Sequence, residues 1–218
     1  MVKKIRILFV VSMIFSGILS GCVGVVDMAS LVGGFGVISE KVSTFDGATI
    51  VEVSPQFVHD PRHTWKFNTY KLGARWNSKS PEQVALIMSF TSSSDNVDFV
   101  YTELMGLDIN LNGQQYSFVA ENLFDYEREG WNSNLNTAYS EIQSSAIIPL
   151  KILKNMATAT DCKIRIHSND GYEDALFSME RRPGGQKLAV LSIREFLANV
   201  EKKRQILAIN GSISSADR

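Results

Sequence analysis

The chain has 218 residues, of which 44% are hydrophobic and 21% charged, with a formal net charge of −1 and two cysteines. That length and composition suit one domain, or two small ones, with a real core; they exclude a disulfide-dense mini-scaffold and a disordered polyelectrolyte. A near-neutral charge gives no reason to expect nucleic acid as a partner.

The N-terminus reads as a processing segment. Lys3, Lys4 and Arg6 form a basic start, and the run from Ile7 to Leu19 is apolar and uncharged. Those thirteen residues fall short of the roughly 20 that a membrane span requires, so the pattern is that of a secretory signal. It ends in Leu19-Ser20-Gly21-Cys22, which resembles the lipobox of bacterial lipoproteins. The resemblance covers residues 1–22 only. It implies that residues 1–21 are removed, that the Cys22 thiol is joined to diacylglycerol, and that its amino group takes a further acyl chain such as palmitate. Val23 stands where lipoproteins kept at the inner membrane often carry aspartate, so the resemblance points to the outer membrane, facing the periplasm. Loss of residues 1–21 removes three positive charges and leaves 197 residues with a formal charge of −4.

From Val23 to Ser39 the chain is small and apolar, with Gly24, Gly33, Gly34 and Gly36 interspersed. Glycine argues for irregular backbone and the apolar side chains argue against free solvation, so residues 22–46 are expected to form a tether lying against the bilayer or the domain. Period-two patterns then dominate. Ala48–Val53 predicts a strand. Thr64–Asn77 predicts a long one, with Trp65 and Phe67 on one parity and Tyr70, Leu72, Ala74 and Trp76 on the other, hence a bulge near Thr69. Gln83–Phe90 is nearly all apolar and predicts a central strand. Gly106–Asn112 alternates, with Leu107, Ile109 and Leu111 inward and Asp108, Asn110 and Asn112 outward. Asn112-Gly113 supplies a hairpin turn that returns through Gln115–Val119.

Glu121–Asn136 is polar with isolated aromatics and reads as a long loop. Tyr139–Ile148 reads as a strand, and Pro149 suits the first turn of a short helix through Met156. Strands at Cys162–His167 and Tyr172–Phe177 are joined by the turn residues Ser168-Asn169-Asp170-Gly171. A helix is expected from Lys187 to Leu207, stopped by Gly211 and followed by a frayed tail over 211–218. The expected architecture is α+β: one domain over 47–210, a mainly antiparallel sheet or sandwich, one short helix and a C-terminal helix packed on it.

Chemical signals are fewer. His59-Asp60-Pro61-Arg62-His63 offers two imidazoles and a carboxylate that a loop could bring to one metal ion. Pro61 rules out the helical zinc-hydrolase pattern, so a solvated connection is the favoured reading and a metal-dependent hydrolase the alternative. No Gly-x-Ser-x-Gly elbow or phosphate-cradling glycine loop is present, and no cofactor is expected. Cys162 and His167 fall on opposite strand faces by parity, which argues for a buried structural thiol and against a thiol–imidazole pair. Phe124, Tyr126 and Trp131 lie among hydrogen-bonding residues in the polar stretch, and Arg181 and Arg182 sit on a Pro/Gly loop; these are the candidate partner-binding residues. The expectation is a non-enzymatic envelope lipoprotein that attaches to the membrane through Cys22 and binds a protein or glycan partner.

Overall fold

The computed structural model describes residues 33–60, 69–94, 103–132 and 137–216. Among them the chain forms, in order, β1 (Ile38–Val42), β2 (Thr49–Phe57), β3 (Thr69–Asn77), β4 (Gln83–Ser94), β5 (Leu104–Leu111), β6 (Gln114–Val119), β7 (Glu121–Asn132), β8 (Thr137–Pro149), α1 (Leu150–Thr158), β9 (Cys162–Ser168), β10 (Gly171–Leu176) and α2 (Ala189–Ala216). The strands build a six-stranded sheet in the order β1-β2-β3-β4-β8-β7 and a four-stranded sheet in the order β10-β9-β5-β6. Every pairing is antiparallel. The fold is therefore α+β and mainly antiparallel sheet, as the hairpin turns and the lack of β-α-β alternation predict.

One core joins both sheets and both helices. Alternation along β3 turns Leu72, Ala74 and Trp76 inward, where register sets Trp76 between Val51 and Val84, and Ala74 between Val53 and Leu86. The indole N–H of Trp76 donates to the Pro81 carbonyl at 3.1 Å, so its burial leaves no unpaired donor. The four-stranded sheet faces this surface with Leu107, Ile109 and Leu111 from β5 and Cys162, Ile164 and Ile166 from β9. The helices add Leu153, Met156, Ile193, Phe196 and Val200. Each such aliphatic or aromatic side chain contributes about 1.5–3 kcal/mol on burial.

The hairpin between β5 and β6 turns at Asn112 and Gly113, whose φ values are 50° and 93°. Positive φ at both central residues matches the twist of the flanking strands, and Asn110 Oδ1 accepts the Gly113 N–H at 2.8 Å. Pro149 stands at the N-cap position of α1 and makes no side-chain hydrogen bond there, so the helix begins one residue later than expected and ends at Thr158, two residues beyond Met156; the Leu150 N–H is paired with the Glu82 carbonyl at 2.8 Å. α2 begins two residues later than predicted and runs through Gly211, so the expected stop does not occur there. A lone glycine costs about 1 kcal/mol in a helix, too little by itself to end one.

The polar stretch after Glu121 departs from expectation. It is the edge strand β7, not a loop, and it pairs with β8 through Tyr126↔Ile142 and Trp131↔Ala138. Its register shifts twice, between Glu121 and Asp125 and between Tyr126 and Arg128. Each shift breaks the period-two signal, and a strand on a sheet edge tolerates polar residues that a central strand does not. In β2 the register shifts between Val53 and Gln56. Gly73 on β3 faces that irregularity so closely that a Cβ there would stand 2.5 Å from the Val53 carbonyl oxygen. Trp65 and Phe67, which precede the bulge expected near Thr69, lie outside the described residues, and from Thr69 onward β3 pairs with β4 without a register shift.

Part of the apolar N-terminal segment lies against the domain. Ser54 Oγ donates to the Gly34 carbonyl at 2.6 Å, the Ser54 N–H donates to the Val37 carbonyl at 2.9 Å, and β1 continues as the partner of β2. Gly36 has φ +65°, and a Cβ there would meet Ser192 Oγ on α2 at 2.4 Å. Phe35 packs on Phe57 with centroids 4.9 Å apart. These rings cover Lys71, whose Nζ is 4.8 Å from the Phe35 centroid and 5.7 Å from that of Phe57. Lys71 lies on the face of β3 opposite the core, yet its side chain is only 4% exposed. It is held there by Glu141 Oε1 and Thr91 Oγ1, both at 2.8 Å, and Ser89 Oγ donates to the same carboxylate oxygen.

Removing one member of a buried ion pair leaves an uncompensated charge, whereas removing both need not. Glu141→Leu should lower unfolding free energy by about 3 kcal/mol, and Lys71→Met combined with Glu141→Leu should regain most of it. Urea denaturation of the single and double variants checks this; equal losses in both would show that packing alone, not the stranded ammonium, sets the cost.

Candidate functional site

Because β5 and β9 bury alternate residues in the core, their remaining residues share the opposite face of the four-stranded sheet. Register then aligns residues distant in sequence into rows. Ser117, Asp108, Arg165 and Asp174 stand side by side on β6, β5, β9 and β10, and Gln115, Asn110, Lys163 and Leu176 form the next row. These eight residues line a depression of about 340 Å³, at the small end of the range of about 300–1,000 Å³ typical of ligand sites.

The charges in the depression hold one another. Arg165 meets Asp174 with a two-pronged contact, Nε to Oδ1 at 2.7 Å and Nη2 to Oδ2 at 2.9 Å. The guanidinium carbon also lies 3.9 Å from the centroid of Tyr172, a ring that is half-exposed at the margin of the face. Asp108 Oδ2 is 2.8 Å from His167 Nε2. A hydrogen bond from Ser117 is the largest influence on Asp108 and, with His167, holds its carboxyl below the usual value of 3.8.

The order of these groups bears on chemistry. In a nucleophilic triad the imidazole stands between hydroxyl and carboxylate, where it can take the hydroxyl proton. Here the carboxylate stands between Ser117 and His167. The arrangement fixes side chains in place and, among the described residues, sets a carboxylate rather than an imidazole beside Ser117.

The residues singled out from sequence fall elsewhere. Phe124, Tyr126 and Trp131 are in β7, in the other sheet, and their side chains lie outside the described part. Arg181 Nη1 donates to the Gly185 carbonyl at 2.6 Å, within its own loop. Arg182 Nη2 is 3.3 Å from the Val58 carbonyl, its guanidinium is 5.1 Å from the Phe57 centroid, and burial pushes its pKa down. The two arginines thus fasten their loop to β2 and to itself. His59 forms a single bridge with Leu176, its carbonyl accepting the Leu176 N–H at 2.8 Å at the end of β10. Asp60 follows it, and His63 and Cys22 lie outside the described residues. Among the described residues no group of three or more His, Cys, Asp or Glu gathers as metal ligands.

Cys162 is fully buried, on the core side of β9, and burial pushes its thiol up to about 12. His167 is on the opposite side of the same strand with Asp108, as parity requires.

Two outcomes follow from these environments. The depressed Asp108 value makes its contribution to stability complete above the unfolded value near 3.8 and lost as pH falls through the lower folded value. Asp108→Asn should therefore flatten the fall in urea midpoint on acidification below that value, and an unchanged slope would count against the Ser117 and His167 contacts. Thiol reagents should label Cys162 of the folded chain only after denaturant is added; prompt labelling would contradict its burial.

The chain matches no family model, no curated protein and no solved structure, so the functional reading rests on the geometry of this face and on the sequence of the N-terminus.

Proposed function

We propose that this chain is a lipid-anchored cell-envelope protein that acts as a non-enzymatic binding module, holding a glycan or protein partner on the outer face of its four-stranded sheet. The observation that carries the binding role is the row Ser117, Asp108, Arg165 and Asp174, in which each charge is positioned by its neighbour across the sheet. A surface whose own ion pairs are already made presents a fixed pattern of donors and acceptors, which is what selective recognition requires. The reading of His59, Asp60 and His63 as the metal centre of a hydrolase gains no support from the bridge that His59 makes to Leu176.

Anchoring rests on Lys3, Lys4 and Arg6, the apolar run to Leu19, and Leu19-Ser20-Gly21-Cys22. Among the described residues no helix is long and apolar enough to cross a membrane. Each buried methylene of an acyl chain contributes about 0.8 kcal/mol, so two chains give stable attachment where one does not. Val23 after the cysteine favours the outer membrane, facing the periplasm.

The wild-type chain should incorporate labelled palmitate and fractionate with membranes. Cys22→Ala should lose the label, and residues 23–218 behind a cleavable secretory signal should be released as soluble protein. Quantitative retention of that lipid-free form on membranes after a salt wash would overturn attachment through Cys22.

A further inference from the structure

Four strands form sheet edges: β1 and β7 in the larger sheet, β10 and β6 in the smaller. Folded chains protect such edges with charge, proline, a bulge or a cover, because an open edge templates pairing with another strand. β1 carries Glu40 and Lys41, β7 carries Glu127 and Arg128, and β10 carries Glu173 and Asp174. β6 is Gln114-Gln115-Tyr116-Ser117-Phe118-Val119, without charge or proline, and it pairs with β5 without a register shift. The strand is also accessible: Gln114, Gln115 and Ser117 are exposed, and Val119 is 82% exposed. The Ala120 N–H donates to the Met105 carbonyl at 2.8 Å, and Phe118, Tyr116 and Gln114 continue that alternation towards Leu107, Ile109 and Leu111 of β5. The N–H and C=O groups of Gln115, Ser117 and Val119 therefore point away from β5. Among the described residues no strand pairs with them.

Alternating donors and acceptors along a strand edge are complementary to an extended backbone. Side chains then decide which backbone. Antiparallel pairing of β6 with a copy of itself, centred on Ser117, sets Gln115 opposite the partner's Val119 and Tyr116 opposite the partner's Phe118. No charge on the strand meets a like charge, since β6 holds none. Tyr116 and Phe118 are only partly buried against the core, and aromatic side chains directly opposite each other stabilise an antiparallel pair. We propose that β6 pairs in this way with β6 of a second copy of this chain, joining the two four-stranded sheets into one continuous sheet. Such a contact is self-complementary and closes as a dimer. It sets the rows of Ser117, Asp108, Arg165 and Asp174 from both copies on one surface. The pairing goes beyond the binding reading and depends neither on it nor on the lipid anchor.

Two full chains with different C-terminal tags, co-expressed and extracted in detergent with empty micelles in excess, should be isolated together. Gln115→Lys with Val119→Lys sets like charges opposite each other across the antiparallel pair and should lower co-isolation about ten-fold. Gln115→Lys with Val119→Glu sets opposite charges there and should retain it. Both substituted side chains are exposed, so the two variants should melt at the wild-type temperature. Wild-type chains that separate, a doubly lysine-substituted chain that still associates, or an equal loss in both folded variants would overturn the pairing. A photocrosslinker in place of Gln114, irradiated in native envelopes, probes the same edge without added charge. An adduct of two copies is expected; adducts only with another protein, or none, would overturn self-pairing.

Discussion

The contact between β5 and β9 is the constraint on which the rest of the four-stranded sheet depends. Leu107 beside Ile166, Ile109 beside Ile164 and Leu111 beside Cys162 form one apolar layer against the six-stranded sheet. With period two in the backbone, burying those six residues obliges Asp108, Asn110, Lys163, Arg165 and His167 to share the other face. A slip of one residue in either strand would put charges in the core, so the hydrophobic layer sets the polar geometry. The candidate site is in this sense a by-product of packing, sharpened by ion pairs that need no ligand to form.

Much of the layer was legible in the chain itself. Leu107, Ile109 and Leu111 alternate with polar residues, Asn112-Gly113 demands positive φ, and Cys162, Ile164 and Ile166 repeat the pattern. What local pattern does not encode is which strand lies beside which. Asp108 and Arg165 become neighbours only because β9 returns antiparallel to β5 after an excursion through β7, β8 and α1. Single-sequence periodicity is blind to that pairing, so the outward residues were visible and their convergence was not. β7 was illegible for another reason: its two register shifts erase the alternation that identifies a strand.

The opposite face of the six-stranded sheet shows the reverse economy of charge. Lys71 is almost wholly enclosed, with Glu141 as its counter-charge and Phe35 and Phe57 as its cover. On the four-stranded sheet the pairs Arg165–Asp174 and His167–Asp108 remain about two-fifths exposed. Exposed pairs of this kind add little to stability. They orient side chains at small energetic cost, which suits the proposed binding role of that face, while the enclosed pair seals the N-terminal segment against β2 and β3.

That seal determines how far the domain travels. From Gly34 onward the chain is fastened to β2, so on the proposed anchoring at Cys22 only twelve residue steps separate lipid from fold. Fully stretched, those steps span about 40 Å, and a domain of this size adds roughly 40 Å more. A partner beyond that radius from the leaflet is unreachable, however well it matches the polar face. For a partner itself held at the same leaflet, confinement within that radius replaces bulk dilution with an effective concentration on the order of millimolar, so a weak contact becomes sufficient for occupancy.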